Sequence, residues 1–506
     1  MKKGYILAID QSTSATKAVL FDQDAVFVAR ASVPHKQIYP RPGWMEHDPE
    51  EIFRNVLKAV RDVIQSSEID SSLIGCLSIT NQRETILVWD KYTGKPVCNA
   101  VVWQCLRGEP KCNELKEGGF DEIIRQKTGL VIDPYFSASG LQWIIHSDTE
   151  ILKKAQEGKL AAGTIDTWLI WKLTSGRIHA TDYSNACRTL LFNLHTLKWD
   201  EELCRLFDIP VSLLPENMPA DEKFGSTAAE GILKKEIPIS GVLGDSHAAL
   251  FGQRCYRKGL SKVTYGTGSS VMLNIGDKAL MAPEGLVTSV GYGIKDRMDY
   301  VFEGNIHSTG ATIQWMVDSL GILNDPKESE EIAGKVVSTD GVYFVPAFSG
   351  LGAPYWDNRI RAGISGIHSG TRKEHIVRAG LESIAYQVKD LLDLMAEKAG
   401  IGLSEIRVDG GPTRNHLLMQ FQSDMLNAPI LVSDIEEASA LGAALAGGLG
   451  TGVWKSIAQL EQMYSSRDSI KPRMSVEDRK QRYEGWKRAV ELARGRNVSF
   501  IQKSLT

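Results

Sequence analysis

With 506 residues and 43% hydrophobic content, the chain exceeds what one compact core organises and fits two domains of roughly 250 residues each, with a cleft between them. Lysine and arginine (58) almost balance aspartate and glutamate (62), so the net charge of -4 supplies no basic field for nucleic acid or an anionic membrane and points to small-molecule partners. No stretch reaches the roughly eighteen consecutive apolar residues of a membrane span, and a cytoplasmic location is the expectation.

The apolar run 5–9 reads as a strand rather than the core of a signal peptide. A polar loop from Asp10 to Lys17 and a second strand over 18–21 complete a β-hairpin, and a third strand is predicted over 25–29. Asp48-Pro49-Glu50-Glu51 starts a helix, with Asp48 as cap, Pro49 in the first turn and Glu51 closing a capping box. Ile52, Phe53, Val56, Leu57, Val60 and Ile64 share its buried face. The seven cysteines include no C-x-x-C pair, and Cys98, Cys105 and Cys112 have no histidine nearby, so reduced thiols are expected rather than a metal site or disulfides.

The second half opens as the first does: strand 262–265, loop 266–270, strand 271–274. Two similar hairpins suggest a duplicated fold, and strands alternating with amphipathic helices after residue 406 mark an α/β protein. A boundary is expected between 251 and 261, dividing the chain into residues 1–253 and 254–506.

There is no G-x-x-x-x-G-K-[ST], and no G-x-G-x-x-G follows a strand, so phosphates must be held without either fingerprint. Two loops rich in Ser, Thr and Gly present amide and hydroxyl donors from opposite sides, with Lys17 adding charge. Each loop alone is an ordinary hairpin turn; the pairing carries the signal. Asp10, at a strand end, suits a magnesium ion reached through water. Residues 408–415 end a strand and begin a helix, with glycines where a base or phosphate can approach the backbone. Arg83-Glu84 suits vicinal hydroxyls, since a guanidinium donates where a carboxylate accepts, though such a neighbouring pair is also a common surface feature. Asp245, after the run 239–243, is the candidate general base, with helix capping as the alternative.

These segments, together with Pro42-Gly43-Trp44, Val102-Trp103-Gln104, Asp166-Thr167-Trp168, Tyr265-Gly266-Thr267-Gly268 and Asp409-Gly410-Gly411, resemble the FGGY family of carbohydrate kinases over nearly the whole chain. The resemblance implies a duplicated actin-like (ribonuclease H-like) fold with two lobes around a nucleotide cleft. It implies transfer of a phosphoryl group from ATP, with Mg2+, to a hydroxyl of a small polyol, glycerol foremost, with a larger polyol or a ketose as the alternative. It assigns Asp245 as base and Arg83, Glu84, Trp103, Tyr135, Asp245, Ser246 and Ser270 to the substrate. Ser14, Lys17, Thr267, Gly310, Gln314, Gly411 and Asn415 fall to the nucleotide, Asp10 and Asp245 to the metal, and a homodimer is the expected assembly. Members acting on glycerol carry Asp-Gln-Gln where this chain has Asp245-Ser246-His247 and Phe at Ser270, and the family's first signature carries Lys at Gly140, outside the expected chemistry. Loss of the Phe wall opens the pocket and makes it more polar. Leu233-Lys234-Lys235-Glu236 replaces the Gly-Arg loop that binds fructose bisphosphate in some members, and this segment holds no histidine to be phosphorylated. An actin- or Hsp70-like ATP switch is the rival on the same scaffold, with no reason to keep Arg83-Glu84 together with Asp245.

Overall fold

A computed structural model describes residues 4–495 apart from 296, 358, 434, 436 and 464–468. The first hairpin is formed by β1 (Tyr5–Gln11) and β2 (Ala15–Asp22). Its loop is shorter than the sequence suggests, because Asp10 and Lys17 already pair across the two strands. Strand β3 is Phe27–Pro34, two residues later than expected, since Ala25 turns the chain at φ 59°. Helix α1 is Pro49–Ser67, capped by the Asp48 carboxylate, which accepts from the Glu50 amide. The expected capping box does not close: Glu51 accepts instead from the Lys36 amide at 3.4 Å. Ile52, Phe53, Val56 and Val60 are buried, with Ala59 and Val63 in place of the half-exposed Leu57 and Ile64.

Two further strands, β4 (Ile74–Asn81) and β5 (Ile237–Gly244), lie parallel to β1 and complete the first sheet in the order β3-β2-β1-β4-β5, with Ser226–Thr227 on its edge. Helix α2 (Asp245–Gly252) follows β5 directly. The second sheet repeats the pattern with β6 (Leu260–Tyr265), β7 (Ser269–Gly276), β8 (Arg297–Ile306), β9 (Glu405–Gly410) and β10 (Ile430–Val432), in the order β8-β7-β6-β9-β10 with Val287–Ile294 on its edge. In both sheets three antiparallel strands are followed by two parallel ones. The duplication read from the two hairpins is therefore a duplication of whole sheets. Between β8 and β10 come α3 (Gly310–Asp318) and α4 (His416–Leu426), and α5 (Ala438–Gly450) follows β10.

Helix α5 does not stay with the second sheet. Its Ala440, Leu441, Ala444 and Leu445 share a core with Ile6, Ala8, Cys76 and Leu243 of the first sheet and Ala248 of α2. Small residues permit this approach: a Cβ on Gly442 would lie 1.7 Å from the Ala248 carbonyl oxygen, and one on Gly252 would lie 2.2 Å from that of Ala438. Gly442→Ala is therefore expected to cost about 1 to 3 kcal/mol of stability through forced separation of the helices. Chemical denaturation of Gly442→Ala and of Gly363→Ala, where nothing lies within 4 Å of an added Cβ, checks this; equal midpoints for the two would reject it.

Candidate active site

The site forms where the carboxyl ends of the parallel strands of the two sheets face one another, the usual position of ligands in open α/β sheets. Register sets this up in the first lobe. Asp10 pairs with Thr80, Leu243 with Thr80 and Gly244 with Asn81, so Asp10, the loop after Asn81 and Asp245 emerge side by side. Gly244 allows the chains to touch, since a Cβ there would be 2.6 Å from Cγ of Arg83. In the second lobe Tyr265 pairs with Gly410, which aligns the loops carrying Thr267 and Gly411. Gly410 has φ 100°, and a Cβ on it would meet the Tyr265 carbonyl oxygen at 1.9 Å.

A cleft of about 950 Å³ opens at that second-lobe edge, and Thr267, Gly310, Gln314, Gly411 and Asn415 all line it, with Ile313 and Leu418 as apolar wall. The loop is clamped from behind by amides of Thr309, Gly310 and Ala311 donating to the carbonyls of Gly266 and Thr267. Asn415 also has a structural duty. Its Oδ1 caps α4 by accepting from the Leu418 amide at 2.9 Å, and its Nδ2 donates to Ser329 Oγ at 3.3 Å. Gln314 donates to Asp318.

A second cleft of about 280 Å³ lies between the lobes, lined by Asp10, Lys17, Asp245, Ser246, Lys262, Thr264, Ser270, Asp409 and Glu437. Lys17 is 2.8 Å from Glu437 and 3.6 Å from Asp10. Burial pushes the Asp10 carboxyl up to about 6, an effect Lys17 opposes while Glu437 and Asp245 add to it. Ser14, at the exposed tip of the first hairpin, lines neither cleft.

The polyol candidates form a buried group beside this cleft. Arg83 donates to both oxygens of Glu303, at 3.0 and 2.8 Å, and its Nε lies 3.2 Å from Oδ1 of Asp245. Arg188 donates to Glu84 at 2.6 Å, to Glu303 at 2.9 Å and to Ser289 at 2.9 Å. Burial opposes charge on Arg83, but Glu303 and then Glu84 hold it firmly protonated; burial likewise opposes ionisation of Glu303, and Arg188 and Arg83 hold its carboxyl well below the usual range. Glu84 sits at φ 63°, a left-handed conformation costing a non-glycine residue roughly 1 to 3 kcal/mol. Its ion pair with Arg188 and the Ser137 hydroxyl donating to its carbonyl keep it there. Trp103 and Tyr135 meet edge-on at 5.4 Å, and Trp103 Nε1 donates to Thr13 Oγ1 at 3.0 Å, joining the polyol wall to the first hairpin loop.

Ser246 and Ser270 line the inter-lobe cleft with Asp245, and Arg83, Glu84, Trp103 and Tyr135 lie beside it, Arg83 touching Asp245. Ser270 is a strand residue of the second lobe, paired with Thr264 and Asn305, which carries its side chain to the cleft. Asp245 is no helix cap, because Gly244 holds that position and the Asp245 carboxylate takes only the adjacent Ser246 amide and Arg83. Sequence reasoning missed Arg188, Glu303 and Lys262. The one available signal was a charge interrupting an apolar strand, as Glu303 does after Val301-Phe302 and Lys262 before Val263.

Residues 5–252 match the N-terminal domain of the FGGY family of carbohydrate kinases and residues 261–451 its C-terminal domain. Glycerol kinase 1 of Thermotoga maritima is 54% identical over 96% of this chain and 99% of its own length. Glycerol kinase of Symbiobacterium thermophilum is 49% identical over 98% of this chain and 99% of its own. The crystal structure of Plasmodium falciparum glycerol kinase with ADP superposes with a TM-score of 0.92 at 38% identity, covering 97% of this chain and 98% of that one. A gluconate kinase from Lactobacillus acidophilus, 21% identical with a TM-score of 0.87 over 99% of both chains, shares the fold. Paired family domains, full-length relatives and strand-end loops facing across a cleft lead to one conclusion: the chain belongs to the FGGY family of carbohydrate kinases.

Proposed function

We propose that this chain transfers the γ-phosphoryl group of ATP to a hydroxyl of glycerol. One observation carries the reading: Asp245 lines the inter-lobe cleft with Asp10 and Lys17 and also contacts Arg83 of the buried polyol group. A carboxylate so placed reaches an acceptor hydroxyl and a donor phosphate together. The kinase names of the full-length relatives and the ADP in the Plasmodium falciparum structure support the same assignment.

In this mechanism Arg83 donates to, and Glu84 accepts from, neighbouring hydroxyls, while Trp103 and Tyr135 wall the carbon side. Asp245 takes the hydroxyl proton. The oxygen–phosphorus bond forms as the bond between the γ-phosphorus and the bridging oxygen breaks, and ADP leaves from the cleft of Thr267, Gly310, Gln314, Gly411 and Asn415. Lys17 meets the phosphates from the inter-lobe cleft, whereas Ser14 lies outside both clefts and has no role in it. Catalysis here is positioning with charge neutralisation.

Mg2+ fits the inter-lobe cleft. Four carboxylates (Asp10, Asp245, Asp409, Glu437) outnumber two lysines there, and burial with neighbouring carboxylates raises Asp10 to about 6, so the site is short of positive charge. Among the described residues no three potential ligands gather closely enough to cage an ion, which suits one shared with phosphates and water. Asp10 and Asp245 would hold it, and it would supply charge neutralisation at the phosphates. No described helix is long and apolar enough to cross a membrane; the reading places the enzyme in the cytoplasm, with ATP and polyol as partners and a homodimer as assembly.

A longer polyol is the second reading, favoured by one observation. Ser270 Oγ is buried without a hydrogen-bond partner and lines the cleft, so an additional substrate hydroxyl would satisfy it.

Three outcomes test these assignments. Asp245→Asn is expected to keep ADP binding while losing about 10²-fold or more in turnover; calorimetry with steady-state kinetics decides, and retention of more than about a tenth of turnover removes Asp245 as base. Glu303→Gln strands two buried guanidiniums, so a loss of about 3 to 5 kcal/mol in stability should accompany a rise in KM for polyol with ADP affinity unchanged. Unaltered melting and KM would show that Glu303 does not position Arg83. Finally, Ser246→Gln with Ser270→Phe is expected to shift kcat/KM toward glycerol and away from four- and five-carbon polyols by about tenfold. A parallel loss on all substrates would discard the larger-pocket reading.

A further inference from the structure

The inter-lobe cleft contains two lysines in different situations. Lys17 is spoken for by Glu437 and Asp10. Lys262, in the middle of β6, is only 2% exposed yet lines the cleft, and among the described residues its ammonium has neither a hydrogen bond nor an ion pair within 4.0 Å. Asp409, Glu303 and Asp245 act on it from further off, and Arg83 opposes them. Burial disfavours its charged form, so an unpaired ammonium held there is a cost to the empty protein. Two residues along, on the same face of the strand, the Thr264 hydroxyl is also buried and also without a partner.

The course of β6 indicates what satisfies both. Its end and the following loop, Tyr265 to Thr267, line the nucleotide cleft, whereas Thr264 and Lys262 line the cleft that holds Asp245. At about 3.3 Å per residue, the strand leads from the place of the nucleotide toward the acceptor over roughly the length of a phosphate chain. An ammonium and a hydroxyl facing a catalytic carboxylate at that point suit one anion, the phosphoryl group in transit, whose charge is spread over three outer oxygens.

We propose that Lys262, assisted by the Thr264 hydroxyl, binds the phosphoryl group as it passes from ATP to the hydroxyl activated by Asp245. The assignment rests on the phosphotransfer reading above and adds to it the cation that stabilises the group in flight. Lys17, already held by two carboxylates, is the less available ammonium of the two. A preorganised donor aimed at developing charge is what such a step requires.

The test uses the full chain with Lys262→Met and Lys262→Arg. Lys262→Met is expected to lower kcat about 10²-fold or more, as for removal of one such donor, with ADP affinity and polyol KM within about threefold of wild type. Its melting temperature should not fall, because a buried unpaired charge has been removed. Lys262→Arg should restore part of the lost turnover. A binding readout stands apart from chemistry: aluminium fluoride, a mimic of the transferring phosphoryl group, should tighten ADP binding in the wild type in the presence of glycerol, and Lys262→Met should lose most of that gain. Turnover of Lys262→Met within about threefold of wild type, an effect confined to polyol KM, or an undiminished fluoride effect each overturns the proposal. Should the wild type phosphorylate no polyol, the phosphotransfer reading fails separately, and the fluoride comparison still decides for or against Lys262.

Discussion

The active centre depends on a buried four-charge network: Arg83 clasping Glu303 with two hydrogen bonds, and Arg188 joining Glu84 to Glu303. All four side chains are almost fully buried. Two guanidiniums and two carboxylates balance, so the desolvation each would suffer alone is offset within the group, provided that every partner is present. Because Glu303 belongs to the second sheet and Arg83 and Glu84 to the loop that follows β4 of the first, the network also binds the lobes together beneath the cleft. It keeps Glu84 in its left-handed conformation and aims the Arg83 Nε at Asp245, so the groups proposed to hold the polyol are arranged in advance. His247 completes the surroundings. Fully buried, with neither ring nitrogen hydrogen-bonded, it is kept neutral by burial and by the positive charge of Arg83.

The nucleotide side works by a different balance. Its cleft is walled by loop backbone and an apolar face at Ile313 and Leu418, which suits a base, with Asp318, Asp325, Lys327, Glu330 and Arg414 of mixed sign also lining it. In the inter-lobe cleft carboxylates outnumber lysines. Such an excess of carboxylate disfavours a bare triphosphate, which is why the proposed site includes a divalent cation. The same excess of carboxylate gives a buried ammonium at Lys262 a compatible setting, without granting it the close partner that would make it unavailable.

Helix α5 connects these parts. Although it follows the second sheet in the chain, it packs on the first, with glycines at the points of closest approach to α2. Its Ser439 hydroxyl donates to the carbonyl of Asp245 at 3.0 Å. Just before the helix, Glu437 holds Lys17 of β2 and Arg30 of β3. Any relative movement of the lobes is thereby felt at Asp245 and at Lys17, which is how a two-lobed kinase can couple closure to chemistry.

Much of this was legible in the chain itself, where the cause is local. Hydrophobic alternation marked the paired hairpins, Asp48-Pro49 marked the start of α1, and glycines at 266, 268 and 410–411 marked the loops where backbone comes close to a ligand. Asp10, Arg83, Glu84 and Asp245 were recognisable as strand-end polar residues, and the parallel register brings their strand ends together. Tertiary structure alone decided the rest. Arg83 and Glu303 are 220 residues apart in sequence, Lys17 and Glu437 are 420 apart, and no local propensity selects one such partner over another. The strand order and the return of α5 make those choices, as they bring Ser246 of one lobe and Ser270 of the other to a single cleft. Secondary structure answers to neighbours a few positions away, whereas the partner of a buried charge is set by which chain segments the packed core brings within a few ångströms.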